Sequence, residues 1–171
     1  AGIYRDIKLK TTDNLRIKNV RAVPESVLSE EKKLFVQVHL EQVHQMVEQG
    51  RLSACLVSSE GIVIAEQHHD FNSSESCFEF TFSGLKDIQL WELDVPTLYT
   101  LNINIEGTSF THHFSTRVGF REAKFTPKGF LLNGNPLKIR GINRHQSYPY
   151  MGYAMGSHAQ QADADFIKNT L

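Results

Sequence analysis

The chain has 171 residues, 40% of them hydrophobic and 22% charged, with a formal net charge of -1 and an isoelectric point near 6.8. That balance lies inside the globular range and far from the low-hydrophobicity, high-charge composition of a disordered chain. The 18 Lys and Arg residues are scattered singly or in pairs against 19 Asp and Glu, which excludes the basic stripe of a nucleic-acid surface.

No apolar run approaches the roughly 18 to 20 residues needed to cross a bilayer, and the opening "AGIYRDIKLK" has no signal-peptide core. Neither a nucleic acid nor a membrane is therefore expected as a partner. The chain opens on Ala1 rather than Met, as a processed product or an excised piece would, and any signal sequence would precede Ala1. Two cysteines, Cys55 and Cys77, lack metal-ligand spacing. They read as small buried thiols, with a disulfide between neighbouring strands as the alternative, and the expected location is cytoplasmic, with secretion left open.

In chain order, "IYRDIKL" and "LRIKNVRAV" come first and read as strands. Then "LFVQVHLEQV" places Leu34, Val36, Val38 and Leu40 on one face and Phe35, Gln37, His39 and Glu41 on the other, the period of a half-buried strand. "SEEKK", Ser29 to Lys33, is a solvated turn before it. "RLSACLVSS" and "GIVIAEQ" form the next pair, joined through Ser-Glu-Gly. "CFEFTFS" aligns Phe78, Phe80 and Phe82, and "LYTLNINIEGTSFTHHFSTRV" reads as two strands meeting at Glu106-Gly107, with Tyr99, Leu101, Ile103 and Ile105 on one face. About eight such strands at a spacing of roughly 8 to 12 residues, without helical periods, predict an all-β fold: an antiparallel β-sandwich of the immunoglobulin-like type. The Cys-Trp-Cys spacing of antibody domains is absent. The pairs His68-His69 and His112-His113 suit surface or interface positions, because neighbours on a strand point to opposite faces and chelate poorly.

After Arg121 the pattern changes. Asn133-Gly134 is a hairpin signal between "FLL" and "PLKI", and Pro136 opens a strand, where its missing N–H does least harm. Ser157 and Gln160 have the spacing of a capping box. Beyond them Ala159, Ala162 and Phe166 share a stripe flanked by Ile167 and Leu171, which predicts an amphipathic helix. Strand, loop and helix make half of a βαβ unit, which cannot cover its own faces.

Between that strand and that helix lies "GINRHQSYPYMGY". Substrates of parallel α/β folds bind beyond the carboxyl ends of strands, and Asn143, Arg144 and His145 occupy such an end. Imidazole, carboxamide and guanidinium can all bond sugar hydroxyls, and Tyr148, Tyr150 and Tyr153 can wall a pocket. The only carboxylates after Ile142 are Asp163 and Asp165, neither placed as one of the pair a glycosidase needs. On spacing alone an Asn-Arg-His run is more often a solvated turn than a site; read as a site, the segment can bind, and it offers no residue expected to be catalytic.

"GFREAKFTPKGFLLNGNPLKIRGINRHQSYP" resembles the junction between the immunoglobulin-like domain and the catalytic barrel of glycoside hydrolase family 2, the β-galactosidases, β-glucuronidases and β-mannosidases. "LWELDVPTLYTLNI" and "GIYRDIKL" resemble two earlier family segments, in the right order. The resemblance implies three regions: 1–13, a terminal strand or linker from a preceding jelly-roll domain; 14–121, an immunoglobulin-like β-sandwich; and 122–171, the hairpin, first strand and first helix of a truncated (β/α)8 barrel. It implies a parent that hydrolyses terminal β-D-galactosyl bonds with retention, through two Glu on later barrel strands. His145 would touch the sugar, with Asn143 and Arg144 shaping the strand end; Gln146, where many relatives carry Glu, departs from the pattern. The fragment would be inactive and hold no cofactor, while the parent would use a divalent or sodium ion. Its partners would be the β-galactoside, its own jelly-roll and barrel domains, and in some arrangements a second copy in a homo-oligomer. Trp91, with Pro96, Leu98 and Tyr99, would belong to the sandwich or an interdomain contact rather than to a sugar-stacking platform. Arg5, Asp6 and Arg121 would tie the sandwich to adjacent domains. The competing reading is a stand-alone β-sandwich module that binds carbohydrate or protein.

Overall fold

The computed structural model describes residues 6–43, 49–72, 75–145 and 147–170. It divides into two compact units: residues 11–138, and residues 139–171 together with 1–10.

Among the described residues, seven strands of the larger unit build a sandwich: β1 (Leu15–Glu25), β2 (Lys32–Gln42), β3 (Gln49–Val57), β4 (Val63–Asn72), β5 (Cys77–Leu85), β6 (Tyr99–Gly107) and β7 (Thr111–Val118). They pair antiparallel in two sheets, ordered β1-β2-β5 and β4-β3-β6-β7. The period-2 pattern decides which faces meet. Leu34, Val36 and Val38 stand opposite Phe82, Phe80 and Phe78 in one sheet. Leu52, Ala54 and Leu56 stand opposite Ile105, Ile103 and Leu101 in the other. All twelve are buried in one β-sandwich core, and each large side chain among them contributes about 1.5–3 kcal/mol of transfer free energy.

Two local devices sharpen the sandwich. A bulge between Ile17 and Asn19 leaves Lys18 as the extra residue of β1, and Arg16 and Lys18 both grip Glu41 of β2. The Lys18 ammonium first, then the Arg16 guanidinium, holds the Glu41 carboxyl below its ordinary value. At the end of the paired strands β3 and β6, Gly50 lies opposite Gly107, and the buried Phe110 ring fills the space their missing side chains leave. A Cβ on Gly50 would lie 2.6 Å from that ring, so only glycine fits.

The hairpin forms as its sequence predicts. Strands β8 (Ala123–Thr126), β9 (Gly129–Leu132) and β10 (Asn135–Pro136) make a small sheet, ordered β10-β9-β8. Asn133 and Gly134 take φ of 50° and 80° in its turn. The hairpin lies in the same compact unit as the sandwich, residues 11–138. Asn133 is the physical reason. Its amide N–H donates to the Glu122 carbonyl at 2.8 Å and its Oδ1 accepts from the Glu122 N–H at 2.9 Å. Its Nδ2 donates to the Trp91 carbonyl at 3.0 Å and to Glu92 Oε1 at 2.7 Å.

Several expectations are corrected. Within "IYRDIKL", Ile3–Arg5 lie outside the described residues, and Asp6–Leu9 form no strand, with Ile7 and Leu9 exposed. Beyond Pro136 the expected barrel strand is not formed either. Residues 137–145 join no ladder among the described residues, and Ile139 and Ile142 stay 60% and 57% exposed. A strand exists only through a continuous ladder to a neighbour; the Leu137 N–H still donates to the Phe130 carbonyl of β9 at 2.9 Å, but no ladder continues from it among the described residues. The cysteines are free, Cys77 exposed and Cys55 half-buried, because each alternates with inward residues: Phe78 beside one, Ala54 and Leu56 beside the other. Among the described residues, no helix is long and apolar enough to cross a membrane.

Candidate functional site

The smaller unit carries the Asn143-Arg144-His145 segment, the tyrosine loop and α1 (Ser157–Thr170). The helix opens one residue earlier than the capping-box reading requires, since the Gly156 carbonyl already accepts from the Gln160 N–H at 3.2 Å. The Gln160 carboxamide donates to the Met155 carbonyl at 3.1 Å instead of closing a box with Ser157. The helix face is also rotated from the expected stripe. Ala159, Gln160, Asp163 and Ile167 are half-buried, whereas Ala162 and Phe166 face solvent, Phe166 at 68% exposure. Leu171, the last member of the expected stripe, lies outside the described residues.

Asp163 accounts for that rotation. Arg144 Nε donates to Asp163 Oδ2 at 3.0 Å, and a second guanidinium nitrogen binds the same oxygen. That nitrogen also lies 3.5 Å from the Met155 sulfur, and Met155 is only 6% exposed. Arg144 thus joins the turn before α1 to the helix, closing the loop from His145 to Ala154.

Within that loop Tyr148 and Gly152 exchange two backbone hydrogen bonds, of 3.0 and 2.8 Å, and Met151 donates to the Tyr148 carbonyl at 3.2 Å. The turn holds Tyr150 at φ 68°, a left-handed conformation costing a non-glycine residue about 1–2 kcal/mol. Tyr148, Tyr150 and Tyr153 are all exposed. Asn143 and His145 also present exposed side chains, while the His145 carbonyl accepts from the Ser147 N–H at 2.9 Å. Gln146 lies outside the described residues. The three residues singled out by sequence are all exposed, and Arg144 stands apart in that its guanidinium is engaged by Asp163. Both late carboxylates are engaged, Asp163 by Arg144 and Asp165 by Gln161 Nε2 at 3.0 Å.

Elsewhere, His112 Nδ1 accepts from the Ile17 N–H at 3.3 Å, His113 bonds the Asn104 side chain at 2.6 Å, and the His69 ring packs 4.8 Å from Phe80. Among the described residues no group of three or more His, Cys, Asp or Glu side chains is placed to hold a metal ion. Trp91 is half-buried, with the Arg121 guanidinium 4.5 Å above its ring centroid and Gly119 close against the indole. Asp6 is exposed, and Arg5 lies outside the described residues.

Residues 15–121, from the start of β1 to just beyond β7, match the model of glycosyl hydrolases family 2. The chain belongs to glycosyl hydrolase family 2. Across its whole length it is 37% identical to a β-galactosidase of Thermoanaerobacterium thermosulfurigenes, covering 24% of that protein. It is 39% identical to a β-galactosidase of Rhizobium meliloti over 98% of the chain and 22% of the relative. Among solved structures, β-glucuronidase 3 of Bacteroides uniformis superposes with a TM-score of 0.82 at 23% identity, over 96% of this chain and 20% of that one. A family 2 member from Bacteroides cellulosilyticus superposes at 0.81 and 18% identity, over 92% and 21%. The family 2 chain thus spans less than a quarter of the length of these relatives.

Sequence reasoning missed Asn133 as the anchor of the hairpin and Asp163 as the partner of Arg144. The Asn-Gly pair signalled the turn, but nothing local said that its carboxamide would reach Trp91 and Glu92. Asp163 lies 19 residues from Arg144, a separation that no helical or strand period encodes.

Proposed function

We propose that this chain is the scaffold domain of a retaining glycoside hydrolase acting on terminal β-D-galactosides, and that it contributes one corner of the sugar site through His145. The observation that carries the proposal is the similarity to β-galactosidases across the whole chain, the Asn143–His145 segment included. The order of the two sheets, three strands against four with hairpin β6-β7 beside β3, supports an immunoglobulin-like scaffold, with a jelly-roll domain and a catalytic barrel as its neighbours in the full-length protein.

In retaining hydrolysis one carboxylic acid protonates the leaving oxygen while a carboxylate attacks the anomeric carbon. Water then releases the sugar from the glycosyl-enzyme. Both carboxylates are assigned to the rest of the full-length protein, since Asp163 and Asp165 are engaged here. The divalent or sodium ion expected by resemblance would be held by residues elsewhere in the full-length protein. The exposed His145 imidazole can donate to or accept from a sugar hydroxyl, and Asn143 can do both at once. Such contacts raise the rate to the extent that they tighten in the transition state.

The test is hydrolysis of nitrophenyl β-D-galactoside and nitrophenyl β-D-glucuronide by the full-length protein and by residues 1–171 alone. Preference for the galactoside by the full-length protein, with no turnover by the isolated chain, is expected. A preference for the glucuronide would reassign the sugar, and persistent turnover by the purified 171-residue chain would overturn the scaffold role.

A further inference from the structure

We propose that Asp163 is a positioning residue for the sugar site, acting through Arg144 to aim Asn143 and His145. This rests on the reading of His145 as a sugar contact and adds a residue that the reading does not contain.

Three observations carry it. First, the guanidinium of Arg144 is engaged along one edge: two of its nitrogens donate to one oxygen of Asp163, and one of them also meets the Met155 sulfur. A planar guanidinium that donates through two nitrogens has less freedom than a Lys or a lone hydrogen bond would leave it. Second, Asp163 stands on α1, and the same helix start is tied through Gln160 to the Met155 carbonyl. Arg144 is therefore fastened by one edge of its fork to α1 and to the turn that precedes it. Third, the segment around Arg144 has no β-ladder to hold it, since residues 137–145 join none among the described residues. The ion pair with Asp163 ties this irregular backbone to a regular element, α1. A contact group on irregular backbone needs such a support to hold its geometry to within a fraction of an ångström.

A solvated ion pair adds little stability, which separates this role from a merely structural one. Loss of the Asp163 carboxylate is expected to leave the fold intact and to loosen the aim of His145. Misplacement of a contact on this scale lowers kcat/KM by roughly tenfold to a hundredfold.

The experiment is a double-mutant cycle in the full-length protein, with kcat/KM on nitrophenyl β-galactoside and thermal unfolding measured for Asp163→Asn, His145→Ala and the double variant. Asp163→Asn is expected to lose activity with an unchanged Tm, and to add nothing once His145 is already Ala. Asp163→Glu, which keeps the carboxylate, is expected to recover part of the loss; if Asp163→Asn fails to fold, the residue is structural and the positioning role is overturned. If His145→Ala alone leaves kinetics unchanged, the reading of the sugar site fails. If His145→Ala is impaired but Asp163→Asn is not, or if the two losses multiply independently, the positioning role of Asp163 is overturned and the sugar-site reading stands.

Discussion

The two units of this chain meet the same physical demands with very different success. In the sandwich, β1 to β7 pair with one another and their apolar faces close on a shared core. Among the described residues from 139 on, the apolar side chains Ile139, Ile142 and Phe166 stand in solvent, α1 has no buried residue, and the loop is joined to the helix by polar contacts, the Arg144–Asp163 ion pair and the bond from Gln160 to the Met155 carbonyl. Self-sufficient burial marks a part that folds on its own account. Exposed apolar positions beside polar groups such as Asn143 and His145 mark a part shaped for contact with something else.

The contrast breaks most visibly under core truncation. Phe80→Ala removes a ring that is 1% exposed and is expected to destabilise unfolding by about 3–5 kcal/mol. Phe166→Ala on α1 is expected to change it by less than about 0.5 kcal/mol; urea titrations of both variants measure the difference, and similar losses would erase the distinction between the units. Next in size, Asn133→Ala leaves the Glu122 N–H without its acceptor and places alanine at φ 50°. A loss of about 1–3 kcal/mol is expected, with the exchange protection of the hairpin amides falling more than that of β6. Equal protection would mean that the hairpin is held by something other than Asn133.

A smaller effect concerns acid. Because Lys18 and Arg16 hold Glu41 below its ordinary 4.5 in the folded state, its stabilising contribution is complete above that value. It is lost as pH falls through the lower folded value. Urea midpoints between pH 6 and pH 3 should therefore drop less steeply for Glu41→Gln than for the parent, and parallel curves would contradict the assignment. Smallest of all is a difference in thiol reactivity. Burial first, and Glu66 second, pushes the Cys55 thiol up, whereas Cys77 is exposed, so iodoacetamide at neutral pH should label Cys77 first.

Legibility in the sequence follows the same division. Leu34 to Leu40, Phe78 to Phe82 and Tyr99 to Ile105 announced their faces because a strand's period is local and its burial follows from it. Asn133-Gly134 announced its turn because few residue pairs tolerate two positive φ angles. The helix face was misjudged because Arg144, 19 positions away, draws Asp163 inward and leaves Phe166 out. The strand after Pro136 was misjudged because its alternation is real but its ladder partners are not present among the described residues. At the candidate site, the choice of Asn143, Arg144 and His145 came from residue chemistry and family resemblance. The division of labour among them came only with the coordinates.

The most direct test of the central claim is kcat/KM for nitrophenyl β-galactoside measured on the full-length protein with His145→Ala. A loss of tenfold or more, with an unchanged unfolding temperature, is expected if His145 touches the sugar in the transition state. Kinetics equal to those of the parent protein would contradict that role and leave the segment with a structural part alone.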